Sequence, residues 1–490
     1  MFYDDSPYAS SDHDPVVLGL ERGTPPPAGP VDLTLLNIND FHGRIDANTV
    51  KFAGTIESER AAAQAAGGGA VLLAAGDNIG ASLFASSVAQ DQPTIDVLNA
   101  LELGASAVGN HEFDQGFDDL TGRVIDNGAN ARWKYLGANV YQRGTQIPAL
   151  PEYEILDVSG VHVGVIGAVT EETPSLVSPA GIQALDFGDP VAAVNRVAGQ
   201  LTDGDPANGE ADVLVAEYHE GASEGLPDGT LENAVAAGGA FAEIVNETSP
   251  AMSAIFTGHT HQRYAWDGPV PGQPGRTRPI VQTGSYGANV GKIVLTVDRD
   301  TNAVNGYTAT NVPRVTTADD ELVAAYPRVA AVRSIVDAAI AAANVIGLTP
   351  VGSVDADITT AYTGGSFVNG VYTQPNPADP MIGRDDRPKE STLGNLVADS
   401  LVASLSPPER GGATIGVVNP GGLRNELFFG PDGGVVSYAE ANAVLPFVNN
   451  LWTVTLSGAQ FRTLLEQQCR PTRTAPSRPG RTCNWACPTT

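Results

Sequence analysis

Between Val31 and about Asp300 the chain alternates two kinds of apolar pattern. Short runs rich in Val, Ile, Leu and Ala, at 33–39, 70–76, 133–140, 161–169, 213–218, 254–257, 279–283 and 292–297, have the length and composition of strands. Longer stretches at 53–66, 93–103, 190–203 and 231–247 predict helices, with Pro93 at a first-turn position. Such alternation predicts a layered α/β domain with helices packed outside the sheets. Residues 318–348 read as a helical connection interrupted near Pro327. A second, smaller α/β domain follows from 349, where Lys389 to Asp399 reads as the start of a helix.

Five of the strand-like runs end in Asp, Asn or His. They lead into Asp40 and His42, Asp77, Asn110 and His111, His219, and the segment Gly258-His259-Thr260-His261. Parallel α/β sheets bind ligands beyond the carboxyl ends of their strands, so these side chains are expected at one edge. Asp40 and His42 are two apart, as are His259 and His261, and on an extended strand end each pair would face one side. Imidazoles, carboxylates and one amide oxygen are the donor set of a pair of divalent metals. Two metals about 3.5–4 Å apart clamp both the attacking and the leaving oxygen of a phosphoryl transfer. Gly-His-x-His alone is more often a loop than a site. Five such segments in order, each at a strand end, are not. His162 lies inside a strand-like run and is read as having no ligand role.

At 490 residues the chain is too long for one core, and two main domains are expected. The net charge of −29 excludes non-specific nucleic-acid binding, which needs clustered Lys and Arg, so no stable nucleic-acid partner is expected. The three cysteines all lie at 469 or beyond. A cysteine-free body suits an exported protein without structural disulfides. No apolar run of membrane-spanning length is read. Met1-Phe2-Tyr3-Asp4-Asp5 does not open a signal peptide, so an exported protein would be expected to have more chain ahead of it.

The donor segments resemble the calcineurin-like metallophosphoesterase superfamily, whose blocks run Asp-x-His, Gly-Asp, Gly-Asn-His-Glu, a lone His, then Gly-His-x-His. The resemblance covers residues 31–300 and includes all five blocks in order. It implies a layered metallophosphoesterase sandwich, helices outside β-sheets, followed by a smaller, truncated α/β substrate domain. It also implies two divalent metal ions. One would take Asp40, His42, Asp77 and His261; the other would take Asp77, Asn110, His219 and His259. His111 would stabilise the transition state or protonate the leaving oxygen, oriented by Asp114. Mixed nitrogen and oxygen donors suit zinc or manganese, with iron, magnesium or calcium also compatible.

Asn39-Asp40-Phe41-His42-Gly43 and Gly109 to Asp114 are narrower, and resemble the 5′-nucleotidase family, which includes periplasmic UDP-sugar hydrolases. In the second domain Leu393 to Asp399, Asn419 to Arg424 and Leu445 to Asn449 resemble that family's substrate domain. The resemblance implies a nucleotide substrate, with Arg424 and Asn419 at its phosphate or ribose and Phe447 stacked on its base. For Phe447, core packing after Pro446 is an equally open reading. The family's arginine before Leu-Gly-Asn has no clean counterpart, leaving Arg387, Arg384 or Lys389 as substitutes. The expected activity is hydrolysis of nucleoside 5′-monophosphates. Cyclic-nucleotide phosphodiesterase, UDP-sugar hydrolase and catalytically weak nucleotide-binding protein are the alternatives. The implied location is secreted, cell-surface or periplasmic; oligomeric state is not legible.

Both ends depart from this pattern. Ser11-Asp12-His13-Asp14-Pro15 and the apolar run after it resemble the closing strand of the endonuclease/exonuclease/phosphatase family. Residues 1–22 are expected to be a remnant of an upstream nuclease-like domain, with no activity assigned to Asp12 and His13, and 23–30 a Pro-rich linker. The dimetal domain is expected at 31–317 and a partial nucleotide-binding domain at 349–468. From 469 to 490 arginine becomes dense and apolar periodicity vanishes, which reads as an out-of-frame extension or, alternatively, a natural tail.

Overall fold

The computed structural model describes residues 29–368, 371–375, 383–387, 389–447 and 451–468. The expected nuclease-like remnant (1–22), nearly all of the expected linker (23–30) and the segment 469–490 lie outside the described residues.

Two six-stranded sheets form the first domain. One runs, in spatial order, Val304–Pro313, Asn289–Asp298, Pro30–Ile38, Gly69–Ala74, Leu103–Ala107, Lys134–Leu136. The other runs Arg263–Pro269, Thr277–Thr283, Met252–Thr257, Val213–His219, Val161–Val169, Tyr153–Val158. The strands leading into the donor segments are parallel to one another within each sheet, and Pro30–Ile38 also pairs antiparallel with Asn289–Asp298. Antiparallel strands close the edges.

The period-two pattern explains the layering. Leu33 and Leu35 face the inter-sheet core with Val163, Val165, Val213, Val215 and Phe256. Leu36 and Ile38, from the same strand, face helices through Ile56 and Val97. Leu214, Ala216 and Tyr218 do the same on the second sheet, against Val194, Val197, Phe241 and Ile244. Strands with both faces covered are apolar on both, which is why these runs read so clearly.

Three expectations change. The run 133–140 divides into Lys134–Leu136 and Val140–Gln142, because the Asn139 side chain bonds both the N–H and the carbonyl of Val169 in between. The run 231–247 divides into helices Leu231–Ala236 and Ala240–Glu247, since Gly238 and Gly239 take φ of 75° and 77°. Helix Pro327–Gly347, with mean hydropathy 1.7, is long and apolar enough to cross a membrane, contrary to the sequence reading. Its Val329, Val332 and Val336 are buried in the helix layer of the first sheet, beside Ile56 and Val97.

From residue 349 the packing thins. Pairs of short strands, Pro350–Ser353 with Val435–Ser437 and Ser366–Val368 with Val371–Thr373, accompany helix Thr392–Leu405. Ser391 caps that helix by accepting the Gly394 N–H at 3.0 Å. The core here is Leu393, Val397, Leu423 and Val444. Trp452 and Val454 are 80% and 74% exposed.

Candidate metal centre

All seven side chains expected as metal donors meet at the carboxyl ends of five strands. His42 and His261 bring their Nε2 atoms to 3.2 Å. Asp40 Oδ1 lies 3.3 Å from His261 Nε2 and 3.8 Å from His42 Nε2. Asp77 Oδ2 lies between the two halves, 3.7 Å from His42 Nε2 and 3.1 Å from His219 Nε2. Asn110 Oδ1 is 3.2 Å from His219 Nε2. His259 completes a second cluster with Asp77 and His219.

Other bonds fix how these donors are presented. Nδ1–H of His42 donates to the Gly80 carbonyl at 2.9 Å, and Nδ1–H of His219 to the Ala75 carbonyl at 2.8 Å. A carbonyl only accepts, so in neutral rings the free lone pair belongs to Nε2, which faces the cluster. Buried Asp40 Oδ1 has no hydrogen-bond donor. A buried carboxylate oxygen without a donor, facing two imidazole nitrogens, fits a cation. Asp40 Oδ2 by contrast accepts from Asn39 Nδ2 at 2.7 Å and from the His259 N–H at 3.0 Å.

The backbone differs from the extended ends expected. Asp40, His42, Asp77, His259 and His261 have φ of 49°, 48°, 52°, 70° and 57°. Non-glycine residues rarely adopt this left-handed region, and such strain gathers at functional sites. At Asp40, His42 and Asp77 what holds it is a ladder between loops: the N–H groups of Asp40, His42 and Gly43 bond the carbonyls of Gly76, Asp77 and Asn78, each at 3.0 Å. Gly109 is required by close approach, because a Cβ there would lie 2.1 Å from Asp77 Oδ1.

Protons occupy part of this cluster in the metal-free chain. Burial raises the Asp40 carboxyl and His261 more than reverses it, to about 2. Burial opposes charge on His219, yet Asp77 wins and lifts it to about 10. Burial holds His42 well below the ordinary imidazole value despite Asp77.

His111 adjoins both halves. Its N–H donates to Asp77 Oδ1 and its Nδ1–H to Asp114 Oδ2, both at 2.8 Å. Burial disfavours its charge, but Asp77 and Asp114 lift it to about 9, so the ring is protonated at neutral pH. The predicted substrate residues divide. Phe447 stacks on His111 at 5.6 Å, and Arg424 lies 5.1 Å over Phe447 and 3.4 Å from the Tyr286 hydroxyl. Arg387 pairs with Asp385 at 3.0 Å and neighbours Asn419 around Gly421. Arg384 is bound to buried Glu426 at 2.7 Å and to the Arg424 carbonyl, so it braces the Arg424 loop. Lys389 pairs with Asp386 at 2.9 Å. His162 pairs with Asp212 on the surface.

Sequence reasoning missed three residues. Glu112 accepts the N–H groups of Asp77, Asn78, Ile79 and Gly109, tying the Asp77 loop to the Asn110 loop. Tyr286 donates its N–H to the Asp40 carbonyl at 2.8 Å and sets its ring 5.9 Å from His42 and 5.5 Å from His261. Arg44 lies 3.6 Å over that ring. The signal for Glu112 was present in the Gly-Asn-His-Glu block; Tyr286 follows a strand with no motif around it.

Residues 33–263 match the model of the calcineurin-like phosphoesterases, and residues 369–481 that of the 5′-nucleotidase C-terminal domain. Endonuclease YhcR of Bacillus subtilis is 26% identical over 475 residues, covering 92% of this chain and 34% of its own length. Cell wall protein Lmo0130 of Listeria monocytogenes is 28% identical over 481 residues, covering 90% of this chain and 56% of its own. The chain thus spans a third of one relative's length and just over half of the other's. The solved 5′-nucleotidase precursor of Thermus thermophilus superposes with a TM-score of 0.59 at 19% identity, over 85% of this chain and 74% of that one, a likeness of fold.

Proposed function

The chain belongs to the calcineurin-like phosphoesterases that carry a 5′-nucleotidase C-terminal domain, and from that premise we propose that it hydrolyses nucleoside 5′-monophosphates to nucleoside and phosphate with two divalent metals. The observation that carries this reading is the orphaned oxygen of Asp40 among converging imidazole nitrogens. Asp40, His42, Asp77 and His261 would hold one metal; Asp77, Asn110, His219 and His259 the other. Zinc or manganese suits this donor set best, with iron, magnesium or calcium also compatible. Held there, such ions would supply Lewis acidity toward the phosphoryl oxygens and a water of lowered pKa.

The chain's own residues supply the rest. Asp114 holds Nδ1–H of His111, which leaves the Nε2 proton for the departing nucleoside oxygen. Arg424 offsets charge developing on the phosphoryl group. Phe447, beside both, offers a flat face to a base, and Asn419 and Arg387 flank the same loop. The Listeria relative's name supports an exported location. A second reading, cleavage of phosphodiesters, is favoured by the Bacillus relative named an endonuclease.

Phosphate release from AMP, with zinc or manganese added and then chelated, tests the proposal. p-Nitrophenyl phosphate and its bis ester run beside it. Chelator-sensitive release from AMP is expected. Turnover of the bis ester alone would move the assignment to phosphodiesters, and silence on all three with metals bound would leave only a nucleotide-binding role.

A further inference from the structure

Arg44 follows His42 by two residues, in a turn that begins with Gly43 at φ 51° and is held by the Thr49 hydroxyl donating to the Arg44 carbonyl at 2.8 Å. Its guanidinium packs 3.6 Å over the Tyr286 ring, and that ring adjoins His42 and His261. Arg424 reaches the same tyrosine from the second domain, at its hydroxyl. The Nε–H groups of both arginines are buried and have no acceptor. Burial disfavours charge on Arg44, contact with Tyr286 favours it, and Arg424 opposes it more strongly than Asp46 supports it. Asp46 in turn accepts the Asn48 N–H at 2.7 Å. Two partly buried cations with unused donors therefore sit against one tyrosine, in a chain whose net charge is −29. Such an arrangement is poorly compensated until an anion arrives.

We infer that Arg44 is a specificity-determining residue, which with Arg424 makes the site prefer a phosphate carrying two negative charges, a terminal monoester, over a singly charged diester. This rests on the phosphohydrolase reading above. A monoester has a second ionisation near pH 6, so above it the phosphate is close to a dianion, whereas a diester keeps one charge. A guanidinium fork stacked on a ring is pre-organised to take two of its oxygens. Tyr286 fixes that fork by its face and Arg424 by its hydroxyl, so one side chain sets both cations beside the donor cluster.

The test uses the full chain loaded with manganese, at a pH about two units above the second phosphate ionisation. Arg44→Gln and Arg44→Met both remove the charge, the second keeping an apolar stem against Tyr286; Arg44→Lys keeps the charge. kcat/KM is measured on p-nitrophenyl phosphate and on its bis ester. Binding of inorganic phosphate and of dimethyl phosphate is measured by calorimetry. Loss of one charge-assisted contact predicts a monoester-to-diester ratio lower by about tenfold in both charge-removing variants, with Arg44→Lys in between. The phosphate-to-dimethyl-phosphate affinity ratio should fall likewise. Equal losses on both esters, or an unchanged ratio in either charge-removing variant that keeps its thermal midpoint, would overturn the inference. A wild type that turns over neither ester would defeat the hydrolase reading instead, and the calorimetric ratio would still decide the role of Arg44.

Discussion

Asp40 and Arg424 both bond Tyr286, one through its carbonyl and the other through its guanidinium, but they are supported by very different amounts of structure. Asp40 is fully buried at the lip of a sandwich with three apolar layers. Arg424 stands on a loop braced by Arg384 and Glu426, above a core of four buried residues. The strained backbone of the donor loops is tolerated only on the first kind of support, because it persists where surroundings over-determine it. On the proposed reading, groups that admit and release a substrate would be carried by the second kind, where local opening costs less. Donor geometry and substrate contact should therefore fail separately.

The sharpest break is at Asp77. Replacing it with Ala should lower turnover by more than about a thousandfold and reduce bound metal from two ions, read by metal analysis, while the thermal midpoint of the second region stays in place. His111→Gln comes next. A loss of about a hundred- to ten-thousandfold in kcat with metal content unchanged would separate proton delivery from metal holding; lost metal would refute that division. Glu112→Gln should weaken metal binding about 10- to 100-fold, since it touches no metal but orients the loops that do. Direct titration of manganese would check it.

A smaller effect concerns pH. His219 is raised to about 10 in the metal-free chain, so at neutral pH its proton must leave when metal binds. Apparent metal affinity should rise with pH from neutrality toward that value, by up to about tenfold per unit for each proton released. The stability that the His219–Asp77 pair gives the empty fold has the opposite sign. It is fully present below the ordinary histidine pKa of about 6.5 and lost as pH rises through about 10. Calorimetry in buffers of different ionisation enthalpy would detect the released protons. The gentlest probe is Leu393→Ala, expected to cost about 2–5 kcal/mol and to raise proteolysis within 349–468, leaving the sandwich protected. Equal exposure of both regions would show that they unfold as one.

The donors were legible because each follows a strand buried on both faces, and such strands are short, apolar and sharply ended. The edge strands Tyr153–Val158, Arg263–Pro269 and Val304–Pro313 were not, because their exposed positions carry charged and polar residues that dilute the signal. The left-handed backbone at Asp40, His42, Asp77, His259 and His261 had no local signature either. Aspartate and histidine tolerate that conformation better than most residues but do not dictate it; at Asp40, His42 and Asp77 the ladder between loops imposes it. Arg44 looked like any polar residue in a turn, since what gives it meaning, Tyr286, is more than two hundred residues away in sequence.

The donor set is spread from Asp40 to His261, with the two last histidines on one short segment. On a ribosome, most of this domain would emerge with Asp40, His42, Asp77 and Asn110 already made and nothing to complete either half. Neither proposed metal position would close until the Gly-His-Thr-His segment had left the exit tunnel and the second sheet had received it. On the proposed reading, metal capture would thus be a late event in the life of each molecule.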